Sequence, residues 1–265
     1  MGSAYFYGGR MLIRSTWTLT VSEPVFLPRA YSLELVKDLH RRMQISFADI
    51  KIPAVTYSGI IGSCSTSGDF ITFSPNNFYK LSLCGLQDMT AKVISNLDLS
   101  PYFEFLGTKF DVVNRQNETT SYEHLYHTLV ASEPEPIKRF YLDFITPTVF
   151  AQQRTRLALP VPYLMFRSWL ERWNHFAPVY LGSDELMTFL SDVITLRKHK
   201  IQTRIFKLAN GFVNGFTGNV TLQVLHGTEP LLANVANLLV NYAQFTGTGM
   251  KTRLGMGLTN INLMY

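Results

Sequence analysis

Apolar and polar residues alternate along M-L-I-R-S-T-W-T-L-T-V (11–21), a period of two with β-branched and aromatic residues that predicts a strand. The period then changes. After the break at L-P-R-A-Y (27–31), Leu35, Val36, Leu39 and Met43 fall on one face of a predicted helix. Short strands are predicted at 55–62, 69–74 and 79–84, a helix at 86–97 and a further strand at 103–114. Strand, helix, strands, helix, strand is the order of a ferredoxin-like split β-α-β unit.

The polar, proline-interrupted stretch A-S-E-P-E-P-I (131–137) breaks the pattern and reads as a linker. Beyond it the spacing predicts a strand at 138–146, helices at 162–176 and 183–194, strands at 200–208 and 216–225, a helix at 229–243 and a last strand around 257–264. Ser183 stands where it would cap the second of these helices. Strands come in adjacent pairs, which favours α+β over a doubly wound sheet. The expected organisation is an N-terminal ferredoxin-like domain over 11–130, the linker at 131–137 and a C-terminal ferredoxin-like domain over 138–265. Residues 1–10 show no such pattern and no apolar signal-peptide core, and read as an appended or flexible extension.

Composition narrows the function classes. Hydrophobic residues make up 46% of 265, enough for packed cores, and no apolar run reaches the ~18 residues of a membrane span. A soluble, cytoplasmic protein is expected. The net charge of +5 leans toward an anionic partner. Cys64 and Cys84 lie in apolar, strand-like stretches and read as small core residues of a reducing compartment.

The densest motif is F-T-G-T-G-M-K-T-R-L-G-M-G (245–257), where Gly247, Gly249, Gly255 and Gly257 bracket Lys251 and Arg253. The spacing is neither G-x-G-x-x-G nor a P-loop, and a strand rather than a helix follows. Two readings remain: a loop whose bare amides and cations follow a polyanionic backbone, or a glycine-rich hairpin. Four cations, Arg197, Lys198, Lys200 and Arg204, gather in L-R-K-H-K-I-Q-T-R (196–204), as an RNA contact or a solvated face. His124 and His127 share a helix face, but no third metal ligand is near them. His40 lies beside the apolar stripe of the first helix with Lys37 one turn before it and Arg41 and Arg42 after it. Cations there would attract phosphate and keep imidazole neutral; a half-buried helix histidine is the plainer alternative.

Several of these segments together resemble the CRISPR repeat-processing endoribonucleases (the Cas six family of the RAMP superfamily). The glycine segment matches that family's glycine-rich loop, and G-F-T-G-N-V-T-L (215–222) is similar to its G-F-x-G-x-V pattern. F-I-T-P-T-V-F-A-Q-Q-R (144–154) and L-P-V-P-Y-L-M-F-R-S-W-L-E-R-W-N (159–174) resemble the opening of its second domain. The resemblance implies two tandem ferredoxin-like (RRM-like) domains with antiparallel sheets. It also implies metal-independent cutting of CRISPR repeat RNA by 2′-OH attack, leaving a 2′,3′-cyclic phosphate and a 5′-OH, without a cofactor. His40 matches the position of the family's histidine, with Tyr31, Lys51 and Lys37 as candidate helpers and the glycine loop and the 196–204 cations as RNA contacts. Other CRISPR effector-complex subunits are further expected partners. The alternative within the superfamily is a subunit that holds RNA without cutting it.

Overall fold

The computed structural model describes residues 10–46 and 52–262. The first half builds β1 (Met11–Thr20), β2 (Val25–Pro28), α1 (Ser32–Met43), β3 (Val55–Ile61), β4 (Ser65–Ser67), β5 (Phe70–Phe73), β6 (Tyr79–Gly85), α2 (Asp88–Asn96), β7 (Tyr102–Phe105), β8 (Thr108–Ser121) and α3 (Tyr122–Tyr126). An antiparallel sheet of order β3-β6-β1-β8-β7 carries the ferredoxin-like core, while β2, β5 and β4 form a small separate sheet. Alternation in β1 buries Ile13, Ser15, Trp17 and Leu19 on one face. The same rule applied with period 3.6 buries Leu35, Val36, Leu39 and Met43 of α1. The predicted single strand at 103–114 is instead a hairpin. Leu106 and Gly107, both at positive φ (49° and 72°), form the two-residue turn between Phe105 and Thr108.

After a π-helical turn (His127–Ala131), residues 132–138 lie outside regular elements. The second half follows with β9 (Arg139–Thr148), β10 (Phe150–Gln152), β11 (Thr155–Leu157), α4 (Pro162–Phe176), α5 (Asp184–Val193), β12 (Ile194–Leu208), β13 (Gly211–Val224), α6 (Pro230–Thr246) and β14 (Thr259–Ile261). Its sheet has the order β12-β13-β9-β14, the same strand arrangement as β3-β6-β1-β8. Two ferredoxin-like units in tandem result. Pro162 opens α4 and Val161 before it is extended, as a residue preceding proline must be. Ser183 precedes α5 without a capping bond from its side chain, contrary to its expected role. β12 and β13 are longer than the patterns predict, and β9 pairs with β13 only between Phe216 and Gln223, so the outer part of this hairpin projects past the sheet.

The halves share buried surface. Leu12, Leu86, Tyr122 and Val130 of the first half belong to the same core cluster as Trp169, Trp173, Leu239 and Tyr242 of α4 and α6. Within it the Tyr122 hydroxyl donates to the Leu86 carbonyl (2.9 Å) and accepts from Tyr242 (3.0 Å), while Thr56 of β3 donates to the Phe245 carbonyl (3.0 Å). Cys84 is buried on this side, its thiol 3.9 Å from the Gln244 carbonyl; Cys64 is exposed in the turn between β3 and β4, not in the core. Among the described residues no helix is long and apolar enough to cross a membrane.

Removing one hydroxyl from the tyrosine pair tests this junction. Tyr122→Phe orphans both the Leu86 carbonyl and the Tyr242 hydroxyl and should cost about 1–3 kcal/mol in urea unfolding. Tyr242→Phe leaves the Tyr122 donor on Leu86 and should cost less; the reverse order would disprove the assigned donor direction.

Candidate functional site

The glycine segment connects α6 to β14, and its backbone passes closer to other backbone than any side chain would permit. A Cβ on Gly257 would lie 2.1 Å from the Thr248 carbonyl oxygen, and one on Gly249 would lie 2.4 Å from that of Val149. Gly247 would meet the Gly257 carbonyl at 3.0 Å, and Gly255 would meet the Gly59 nitrogen of β3 at 3.2 Å. All four have positive φ, between 66° and 100°. Three of them let the loop fold on itself and on the chain after β9; the fourth seats it against the other half of the molecule.

This corrects the expectation that the glycines bare their amides to RNA. All four are buried, and their N–H groups already donate: Gly247 to the Ala243 carbonyl, Gly249 to Ser168, Gly255 to the Thr252 carbonyl and Gly257 to the Pro147 carbonyl. What the loop offers are its side chains Lys251 and Arg253, both half-buried.

Helix α4 holds the loop from one side. Ser168 Oγ accepts from Gly249 N (3.0 Å) and from Arg172 Nη1 (2.5 Å), and Arg172 Nη2 donates to the Gly249 carbonyl (2.5 Å). Trp169 Nε1 donates to Thr248 Oγ1 (2.9 Å), which also bonds Thr259 of β14 (2.7 Å). Ser168 and Arg172 were not singled out from the sequence. Their four-residue spacing along one stripe of an amphipathic helix was the available signal.

From the other side, the 3-10 turn Thr252–Leu254 packs on β3 and α1, with Leu254 against the core of the first half. Arg253 thereby reaches the electrostatic neighbourhood of His40, 213 positions earlier in the chain (253 − 40). His40 is in the last turn of α1, half-buried, with its ring 5.8 Å from that of Tyr57. Burial holds its pKa below the usual histidine range and the charge of Arg253 adds to this, against the raising effect of the Ser46 and Ile45 backbone. Burial and the Arg253 charge both favour the neutral imidazole.

The other expected helpers are engaged elsewhere. Tyr31 is buried; its hydroxyl accepts from Ile60 N (2.8 Å) and donates to the Ile60 carbonyl (3.4 Å), and burial pushes its pKa up to about 12. It ties the start of α1 to β3. Lys37 is exposed and paired with Glu34 (2.8 Å), while Arg41 and Arg42 converge on Asp38, with Arg42 Nε at 2.7 Å from its carboxylate. The positive field expected from these three is thus largely answered within α1, and the cation that acts on His40 is Arg253. Lys51 lies outside the described residues.

Arg197, Lys198, Lys200 and Arg204 are exposed on β12. Arg197 sits at a register shift and bonds the Gln223 side chain. Lys198, Lys200 and Arg204 lie opposite Thr221, Asn219 and Gly215, on the face away from Val220 and Phe216 of the core. They form a cationic row along the projecting hairpin, apart from the loop and α1. Among the described residues no three His, Cys, Asp or Glu side chains cluster as a metal site.

The loop's packing predicts a contrast between two glycines that share a left-handed backbone. Gly257→Ala adds a backbone clash and should cost about 2–5 kcal/mol. Gly68→Ala, with positive φ but open space around its Cβ, should cost only the left-handed penalty of about 1–2 kcal/mol. Equal denaturation midpoints for the two variants would contradict the close approach.

The chain's relatives agree with this architecture. The family model for the CRISPR-associated endoribonuclease Cas6 matches residues 142–259. A CRISPR-associated endoribonuclease Cas6 of Streptococcus thermophilus is 29% identical over 119 residues, 44% of this chain and 48% of that protein. The namesake of Mycobacterium tuberculosis is 25% identical over 146 residues, 55% of this chain and 44% of the relative. The chain thus spans about half the length of the curated relatives it matches. Among solved structures, Thermus thermophilus Cas6 has a TM-score of 0.71 at 20% identity, covering 98% of this chain and 100% of that one. A Cas6 solved as a product complex has a TM-score of 0.71 at 18% identity, covering 95% and 99%. Over residues 142–259 the chain is thus similar to the CRISPR-associated endoribonuclease Cas6 family, and its fold resembles that of solved Cas6 structures over nearly its whole length.

Proposed function

We propose that this protein is an endoribonuclease that cuts CRISPR repeat RNA in precursor transcripts, without a metal ion, at the junction between its two halves. The observation that carries the proposal is the convergence of a neutral histidine and an arginine from opposite ends of the chain at one docked loop. That pair suits an RNA strand whose own 2′-OH is the nucleophile. His40 takes the 2′-OH proton, O2′ attacks the adjacent phosphorus and the P–O5′ bond breaks. A 2′,3′-cyclic phosphate forms, and the departing 5′-oxygen takes up a proton from solvent to become a 5′-OH. Arg253 faces the charge that develops on the phosphorane, and Lys251 beside it binds neighbouring phosphate. Tyr31 is assigned to positioning β3 rather than to proton transfer, because its hydroxyl is buried and occupied on both sides. The cations of β12 are assigned to binding the phosphate backbone of the same RNA, outside the reacting centre.

Labelled CRISPR repeat RNA, incubated with the protein in excess EDTA, tests the reading. Wild type should cut, and His40→Ala should be slower by about 10²–10⁴-fold in single turnover with binding retained. A 2′-deoxy nucleotide 5′ to the scissile phosphate should abolish cutting. Cutting that needs added metal, or that survives the deoxy substitution, would sink the chemistry. Binding without cutting by the wild type would make the chain a non-catalytic RNA-holding subunit instead.

The pH profile gives an independent check. A base with a depressed pKa is lost only when the pH falls through that lowered value, so the acid limb of the single-turnover rate should lie below 6.5. Arg253→Ala removes one of the two depressing causes and should move that limb upward, besides lowering the plateau. An unchanged limb in Arg253→Ala would separate the arginine from the histidine.

A further inference from the structure

On the side of the glycine loop held by α4, a groove of about 510 Å³ opens between that helix and the β10–β11 hairpin, within the range of small-ligand sites, about 300–1,000 Å³. Its walls differ in character. Leu164, Met250 and Ile52 are apolar, whereas Arg172 and Ser168 supply polar groups from α4. The one carboxylate in the lining, Glu171, is already paired with Arg167 at 2.9 Å. The Arg172 guanidinium, half-buried, has no carboxylate partner among the described residues. Its three bonds go to Ser168 and the Gly249 carbonyl, which leaves two of its five N–H groups for a ligand. A guanidinium stays charged even when burial disfavours it, so this one attracts an acceptor or an anion.

The groove floor is Gly249 and Met250, at most four residues before Arg253, so it lies within about 14 Å of that residue along the chain. Only nucleotides close to the scissile phosphate can reach both. Apolar surface from Leu164, Met250 and Ile52 beside the Arg172 and Ser168 donors matches the two parts of a nucleotide, a flat base and a polar edge or phosphate. We propose that this groove holds the base of a nucleotide flanking the scissile phosphate, making Arg172 and the groove walls determinants of where the RNA is cut. The inference rests on the RNA-cutting reading above.

Ala151 and Glu171 are exposed on opposite walls, so a bulky residue at either position fills the groove without entering the core. Dissociation constants are measured for wild type, Ala151→Trp and Glu171→Trp with repeat RNA made uncleavable by a single 2′-deoxy nucleotide at the scissile site. The same measurements use RNA with an abasic substitution at each flanking nucleotide in turn. Each tryptophan variant should bind the intact RNA about fivefold or more weakly. One abasic position should weaken wild type comparably yet weaken the tryptophan variants no further, the non-additivity expected when both changes remove one contact. Unchanged affinity in both tryptophan variants, or losses that add to those of every abasic position, would overturn the groove proposal while His40-dependent cutting stood. Failure of the wild type to bind repeat RNA at all would overturn both.

Discussion

The organisation of this molecule depends on how closely one loop is allowed to approach its surroundings. Between α6 and β14 the backbone passes within 2.1–2.4 Å of where Cβ atoms would have to be, against carbonyls of Thr248 and Val149. Only glycine tolerates both that proximity and the positive φ. The cost of ordering four glycines is offset by backbone and side-chain bonds from Ser168, Trp169 and Arg172, and by packing Leu254 into the core of the opposite half. The loop is thereby tied on both sides, and the cation in its 3-10 turn, Arg253, comes within the electrostatic reach of His40 on α1.

Electrostatics at that meeting point follow from burial more than from charge counting. The helix that carries His40 has three cations nearby in sequence, yet Glu34 and the buried Asp38 answer them within α1. Desolvation lowers the histidine first, and Arg253 contributes from across the junction. Burial and the Arg253 charge act in the same direction, both favouring the neutral imidazole.

Burial also explains which candidates changed role. Tyr31 is among the candidate helpers, but its buried hydroxyl closes two backbone bonds of β3 and ties the start of α1 to that strand. Cys64 reads as a core residue only with the apolar strand before it, Ile60 and Ile61; its own neighbours are Ser63 and Ser65, and the turn it occupies faces solvent. Arg172 and Ser168 drew no notice in the sequence because a polar pair on a helix reads as a solvated face until something packs on it. The two-residue turn at Leu106–Gly107 falls where the apolar alternation changes phase, from Phe103 and Phe105 to Phe110 and Val112, and reading 103–114 as one strand overlooks that shift.

What the sequence by itself determined is local. The periods of two and 3.6 marked the main strands and helices, though not the short β2, β4, β10 and β11 or the β7–β8 hairpin; their order specified two ferredoxin-like units, and the glycine spacing excluded nucleotide-cofactor loops. What only the tertiary structure decided is who the close neighbour of those glycines is, and which cation faces His40. The neighbour is the protein's own backbone, and the cation is Arg253 rather than Lys37, Arg41 or Arg42. The physical reason is that periodicity reports which face of an element is buried, through interactions spanning a few residues. Contacts between residues some 200 positions apart depend on how two packed halves dock, and no local pattern encodes that docking.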